Sequence, residues 1–106
     1  RPIPFERMIY FGDGETDVPC MRTIKANGGH SFAVYGNDKK RQLAQQLLSE
    51  GRVNFACAAD YTTNGEMMVI VKRILDKVKA DYTLSQHEVE NRDTLNMFTG
   101  IGDSLE

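Results

Sequence analysis

Three short apolar segments alternate with three segments of helical periodicity, and this alternation restricts the possible folds more than any other feature. The first apolar segment, residues 8–11, lacks polar residues between its apolar ones, as is typical of a parallel strand covered on both faces. The second and third apolar segments span residues 31–35 and 53–58. Strands and helices that alternate at these lengths form parallel sheets with right-handed crossovers. The pattern predicts an α/β fold: a Rossmann-like, three-layer partial domain with three parallel strands alternating with helices.

Glycine and capping residues mark where the three predicted helices begin and end. The first helix is predicted over residues 18–27, where a pair of glycines follows. The second begins after Asn37, whose side chain can cap it, and runs to Glu50. A capping box formed by Thr63 and Glu66 predicts the start of the third helix.

The sequence changes character after Lys79, where it becomes more polar and less periodic. A second capping-box pattern at Ser85 predicts a separate C-terminal helix over residues 86–97. We therefore expect a core unit over residues 1–79 and a helical tail over residues 80–106. This tail is expected to pack on the core, to pair with a second chain or to be partly mobile.

The composition argues against several classes of partner. The net charge of −2 gives no basic surface for nucleic acid, and no apolar run approaches the roughly 20 residues of a membrane helix. The basic residues 39–41 are expected to form the solvated face of the second helix. Cys20 and Cys57 lie far apart in the sequence, which favours two reduced, buried thiols in an intracellular setting. We expect a cytoplasmic protein that binds neither nucleic acid nor membrane.

Two carboxylates follow the first predicted strand, Asp13 directly and Asp17 at the start of the next helix. Ligands in parallel sheets bind beyond the carboxyl ends of the strands, and Gly14 permits a tight reversal that lets both carboxylates face one space. Mg²⁺ prefers hard oxygen ligands and usually takes one or two carboxylates. The pair Asp13 and Asp17 is therefore a candidate magnesium site, and Gly12, Gly14 and Thr16 are its supporting loop residues.

A simpler interpretation treats Asp13 as a turn residue and Asp17 as a helix cap, and the spacing alone favours it. A calcium-binding EF-hand loop is excluded, because Val18 stands where its glycine is needed and Ile24 where its bidentate glutamate is needed. Asp60, at the end of the third strand, is expected near the same rim in a capping or loop role.

Residues 8–21, Met-Ile-Tyr-Phe-Gly-Asp-Gly-Glu-Thr-Asp-Val-Pro-Cys-Met, resemble the fourth conserved motif of the haloacid dehalogenase superfamily in its phosphoserine-phosphatase-like form. The resemblance covers about residues 7–79. It implies a Mg²⁺-dependent phosphohydrolase that cleaves a small phosphorylated metabolite through an aspartyl-phosphate. It also implies that Asp13 ligates Mg²⁺, and that Asp17 ligates it through water or holds the ligand shell.

The nucleophile motif of that superfamily, Asp-x-Asp-x-Thr, is missing, since no Asp-x-Asp occurs in the sequence. Arg1 and Arg7 are candidates, by position only, for the phosphate-binding cation of the third family motif. Two carboxylates without the nucleophile carboxylate should bind Mg²⁺ weakly or not at all. We expect no phosphatase activity from this chain alone.

The nucleophile strand of the family lies beside the strand that precedes the metal loop. Without it, residues 8–11 form an exposed apolar edge that favours association. We expect self-association, the C-terminal tail or a separate N-terminal half to cover this edge. Two alternatives to an enzyme fragment are a non-catalytic binding or association module derived from the same fold, and a receiver-like signalling domain. The receiver is disfavoured because its adjacent acidic residues, phospho-acceptor aspartate and late lysine are not found together.

Overall fold

The structure, a computed structural model, describes residues 3–105, with side chains described as far as residue 97. The chain divides into two compact units, Arg1–Lys72 and Arg73–Glu106. The main elements in chain order are β1 (Ile9–Gly12), α1 (Val18–Ala26), β2 (His30–Tyr35), α2 (Asp38–Ser49), β3 (Phe55–Ala58) and α3 (Glu66–Leu105).

The three strands form one parallel sheet in the order β1–β2–β3. The central strand β2 is the most buried, with residues 31–34 all buried. Three parallel strands that alternate with helices, followed by a C-terminal helix, confirm the Rossmann-like α/β fold that the sequence predicts. Among the described residues, β1 lies at an edge of this sheet.

One face of the sheet carries the main apolar core. Its buried members come from α1, from α2, from the central strand β2 and from the segment before β3: Met21, Ala33, Ala44, Leu47 and Val53. The one buried polar side chain among the described residues, Ser31, donates a hydrogen bond of 2.6 Å from its Oγ to the carbonyl of Met21. This bond removes the cost of burying the hydroxyl group.

The opposite face carries a row of three phenylalanines that the strand register places side by side. Phe11 pairs with Phe32, and Phe32 pairs with Phe55. The ring centroids lie 4.9 Å and 5.0 Å apart, a spacing at which each aromatic pair stabilises the sheet by about 0.5–1.5 kcal/mol beyond its buried area. Phe32 is fully buried, whereas Phe11, at the sheet edge, is 42% exposed.

Helices α1 and α2 end where the glycines of the sequence predict, and α2 begins at its predicted cap. The Asn37 side chain accepts a hydrogen bond of 2.9 Å from the Lys40 amide, as the capping prediction requires. Gly28 and Gly51 have φ angles of 91° and 71°, so both helices are followed by a glycine in the left-handed region.

The start of α3 differs from the prediction. The helix begins at Glu66, two residues later than a capping box at Thr63 would place it. The Gly65 amide instead donates to the Thr62 carbonyl, and the Gly65 carbonyl accepts from Val69. A turn therefore occupies residues 62–65, where the capping box was expected to begin the helix.

The predicted break between a third helix and a separate helix over residues 86–97 is wrong. Helix α3 runs without interruption from Glu66 to Leu105. Residues 79–86 contain neither glycine nor proline, so nothing in them stops a helix. An ion pair of 2.9 Å between Lys77 and Asp81, four residues apart, adds a small stabilisation there. No helix in the described part of the chain has both the length and the apolarity needed to cross a bilayer.

Two smaller expectations are also corrected. Strand β3 begins at Phe55 and not at Val53, although Val53 is buried in the core. Cys20 is exposed, whereas Cys57 is buried as predicted. Burial raises the pKa of the Cys57 thiol, and the negative charge of Glu66 adds to the rise.

Candidate metal site at the end of strand β1

The candidate site is the loop that joins β1 to α1. Strand β1 ends at Gly12, and a single 3₁₀ turn, Glu15–Asp17, leads into α1 at Val18. Asp13 therefore directly follows the strand, and Asp17 directly precedes the helix. The two carboxylates belong to one short loop at the carboxyl end of a parallel strand, as predicted from the sequence.

Three donors surround the Asp17 carboxylate. The Tyr10 hydroxyl donates to Asp17 Oδ1 at 2.8 Å. The amides of Asp13 and Gly14 donate to Asp17 Oδ2 at 3.2 Å and 3.3 Å. The Asp17 carboxylate thus accepts hydrogen bonds from its own loop and from the preceding strand β1, and it does not cap α1.

These contacts determine the ionisation of the pair. The hydrogen bond from Tyr10 is the largest cause of the lowered pKa of Asp17. Burial opposes it, and the hydrogen bonds from the two loop amides and the charge of Lys40 lower the pKa further. The same hydrogen bond, together with burial, raises the pKa of Tyr10 to about 12. Both shifts favour a neutral tyrosine donating to an ionised aspartate at neutral pH.

Asp13 differs from Asp17 in having an open carboxylate. Its side chain is exposed and forms no hydrogen bond or ion pair with any side chain or backbone group described between residues 3 and 97. Its two oxygens are therefore available to a ligand, as a direct ligand of Mg²⁺ requires. Within the same described residues, no group of three or more His, Cys, Asp or Glu side chains is arranged to hold a metal ion.

Glycine is required in this loop at Gly12. A Cβ atom on this buried residue would lie 2.6 Å from Asp17 Cβ and 2.9 Å from Asp17 Cγ, which is too close for either group to remain in place. Gly14, by contrast, has an extended backbone with φ of −143°, so the tight reversal expected there does not depend on glycine. Thr16 is exposed on the 3₁₀ turn.

An open cleft of about 430 Å³ borders the loop, which is within the size range of small-molecule sites. Asp13 and Asp17 both line it. The ends of the other two strands contribute Gly36 after β2, and Ala59 and the largely exposed Tyr61 after β3. The carboxyl ends of all three strands thus meet at one cleft.

Asp60 has a structural role in the loop after β3. Its Oδ1 accepts hydrogen bonds from the Thr62 amide at 2.9 Å and from the Thr62 hydroxyl at 2.6 Å. These two bonds lower the pKa of Asp60. This agrees with the loop or capping role that the sequence predicts.

Two residues at the site were missed by sequence reasoning. Tyr10 was assigned only to the apolar strand, and Lys40 only to a solvated helix face. Lys40 Nζ lies 3.6 Å from the position that a Cβ on Gly14 would occupy, so the end of the lysine side chain lies beside the loop. Asn37 caps α2 just beyond the end of β2, so the first turn of that helix is close to the neighbouring loop. The capping signal in the sequence could therefore have predicted that Lys40 lies near this loop.

The one described candidate for the third-motif cation, Arg7, does not lie at the site. Arg7 ends a 3₁₀ turn before β1, at the opposite end of the strand from Asp13. Arg1 lies outside the described residues.

Comparison with known proteins identifies one relative. A protein of Borreliella burgdorferi (strain ATCC 35210 / DSM 4680 / CIP 102532 / B31), described as an uncharacterized protein, is 38% identical over 66 residues. The match covers 58% of this chain and 22% of the relative, so the chain spans about a fifth of the length of the protein that it matches. No family model and no solved structure matches the chain.

Proposed function

We propose that this chain is the C-terminal, metal-loop part of a Mg²⁺-dependent phosphohydrolase of the haloacid dehalogenase type. The observation that carries the proposal is the position of Asp13 and Asp17 in one loop at the carboxyl end of a parallel strand, beside an open cleft. The resemblance of residues 8–21 to the fourth motif of that superfamily supports the same function. The substrate of the complete cytoplasmic enzyme is a small phosphorylated metabolite.

The two carboxylates have different roles in this proposal. Asp13, with its open oxygens, is the direct metal ligand, and Asp17 holds the shape of the loop or contacts the metal through water. Bound Mg²⁺ would neutralise charge on the phosphoryl oxygens and on the attacking carboxylate. A nucleophilic aspartate from an Asp-x-Asp-x-Thr motif, which this sequence does not contain, forms the aspartyl-phosphate.

The edge position of β1 supports the idea that the chain works with another segment. Among the described residues β1 pairs only with β2, so its outer side has backbone donors and acceptors available to another strand. The superfamily resemblance puts the nucleophile strand at that side. An N-terminal half or a second copy of the chain is the partner that we propose for it.

The test is hydrolysis of p-nitrophenyl phosphate with and without Mg²⁺. We expect no Mg²⁺-dependent turnover from this chain alone, and turnover from the protein extended by any residues encoded before Arg1. Asp13→Asn should abolish the activity of the extended protein. Asp76→Asn, which makes the same charge change at an exposed position of α3, should retain it. Turnover by the chain alone, or full activity of D13N, would overturn the proposal.

A non-catalytic association module derived from the same fold is the second candidate. It is favoured by the apolar side chains that α3 exposes, among them Leu84, Leu95 and Met97, which are 57–70% accessible. Association with another chain would remove part of this apolar surface from water, which is favourable. Sedimentation that shows a stable self-associated species, together with an inactive extended protein, would support the module over the enzyme.

A further inference from the structure

We propose that Tyr10 is a positioning residue, whose hydroxyl fixes the Asp17 carboxylate so that the loop presents Asp13 to a metal ion. The part of this inference that concerns Mg²⁺ rests on the proposed function. The part that concerns the loop depends only on contacts within the chain. The role of Tyr10 follows from one side-chain contact, its hydrogen bond to Asp17, and from no resemblance or relative.

The three hydrogen bonds to Asp17 are not equivalent. The two from the Asp13 and Gly14 amides are 3.2 Å and 3.3 Å long, at or beyond the usual upper limit for N–H···O bonds. The bond from the Tyr10 hydroxyl, at 2.8 Å, has the normal length for O–H···O. It is also the only one of the three that comes from outside the loop. The phenol therefore supplies the strongest of these restraints on the carboxylate.

Tyr10 is itself well anchored. It lies within β1 opposite Ser31 of the central strand, and its ring packs against the core cluster of α1 and α2. Its hydroxyl is therefore held by the sheet and not by the loop. The bond to Asp17 links the rigid part of the fold to the residue that closes the loop.

The consequence for Asp13 follows from the geometry of Asp17. The Asp13 amide donates to the carboxylate that Tyr10 holds, so the backbone of Asp13 is fixed relative to β1. The Asp13 side chain is left open to the cleft. Without the hydroxyl, Asp17 can rotate towards solvent, because the two long amide bonds are weak restraints by themselves. The loop would then hold Asp13 in several orientations, and metal affinity would fall.

The discriminating variants are Tyr10→Phe and Tyr35→Phe. Each removes one hydroxyl and keeps the ring, and both tyrosines pack against the same core cluster. They differ in that the Tyr35 hydroxyl has no hydrogen bond with the described residues, whereas the Tyr10 hydroxyl bonds to Asp17. Hydrogen exchange of the Asp13 and Gly14 amides in the metal-free chain measures the loop, and Mg²⁺ titration monitored at the same amides measures the site.

We expect Y10F to exchange these two amides about 10-fold faster than wild type, and Y35F to leave them unchanged. In the protein extended by any residues encoded before Arg1, Mg²⁺ should bind Y10F about 10-fold more weakly than wild type, again with no change in Y35F. Unchanged exchange in Y10F, or equal acceleration in both variants, would overturn the role of Tyr10. If Y10F alone accelerates exchange but the protein extended by any residues encoded before Arg1 shows no Mg²⁺ response, the metal site is overturned while the positioning of the loop by Tyr10 stands.

Discussion

Tyr10 and Asp17 are joined by a hydrogen bond of 2.8 Å that connects the middle of β1 to the residue just before α1. The contact spans seven positions of sequence and closes the loop that contains Asp13. Its effect is to make the loop a structured part of the sheet edge before any ligand binds. The same contact explains why a glycine is needed at position 12, since the Asp17 side chain occupies the space where a Cβ atom would lie.

Gly12→Ala should destabilise the chain by about 1–3 kcal/mol, the usual cost of forcing extra volume into a packed position. The added Cβ would lie 2.6 Å from Asp17 Cβ, so Asp17 must move and lose its bonds to the loop amides. Urea unfolding monitored by circular dichroism measures the change in unfolding free energy.

Gly14→Ala is the matched control for this substitution. Gly14 has φ of −143°, and a Cβ there would meet Lys40 Nζ at 3.6 Å and Thr16 Oγ1 at 4.0 Å, both ordinary van der Waals distances. Because the end of a lysine side chain moves easily, we expect a change in unfolding free energy of no more than about 0.5 kcal/mol. A result in which G12A and G14A are equally stable would show that Asp17 does not occupy the space beside Gly12.

The fold was predictable because its signal is local and repeated. Mainly apolar runs of strand length, each followed by an apolar stripe at helical spacing, specify parallel strands and crossover helices without knowledge of any distant contact. The same reasoning placed Asp13 and Asp17 in one loop, since the two residues are separated by only three others. Both features depend only on residues that are close together in the sequence.

The missed features depend on information that is not local. The Tyr10–Asp17 bond requires the direction in which a strand residue points relative to the following turn, and an apolar-run argument treats Tyr10 only as a core residue. The uninterrupted α3 was missed for the opposite reason. A polar segment without glycine or proline looks like a change of element, but it has no signal that ends a helix.

Ionisation of Tyr10 should be visible as a separate alkaline step. The hydrogen bond to Asp17 and burial raise its pKa from 10.0 to about 12, so its neutral form is favoured in the folded chain. A raised pKa means that this stabilisation is fully present below pH 10 and is lost as the pH rises through about 12. Tyrosinate absorbance should show one of the four tyrosines of the chain titrating late.

Tyr10→Phe identifies the residue responsible for that step. The late component should disappear in Y10F and persist in Y35F, which keeps the hydrogen bond to Asp17. Asp17→Asn should shift the late step towards the ordinary tyrosine range, because it removes the negative charge that opposes formation of a phenolate. A late step that survives in Y10F would assign it to another tyrosine and contradict the contact.

The two cysteines should differ in reactivity with a thiol-specific disulfide reagent. Cys20 is exposed on α1, whereas Cys57 in β3 is 1% exposed. Burial, reinforced by the charge of Glu66, raises the pKa of the Cys57 thiol and so reduces its thiolate fraction. We expect Cys57 to react at least about 100-fold more slowly than Cys20, because the reagent reaches it only when the chain opens.

Two single-cysteine variants separate these reactions. Cys20→Ser should leave only the slow phase, and Cys57→Ser should leave only the fast one. Urea should accelerate the slow phase up to the rate of an unfolded thiol, since unfolding both exposes Cys57 and removes it from Glu66. Rapid labelling of folded C20S would show that β3 is accessible on the sheet face that carries Phe32 and Phe55.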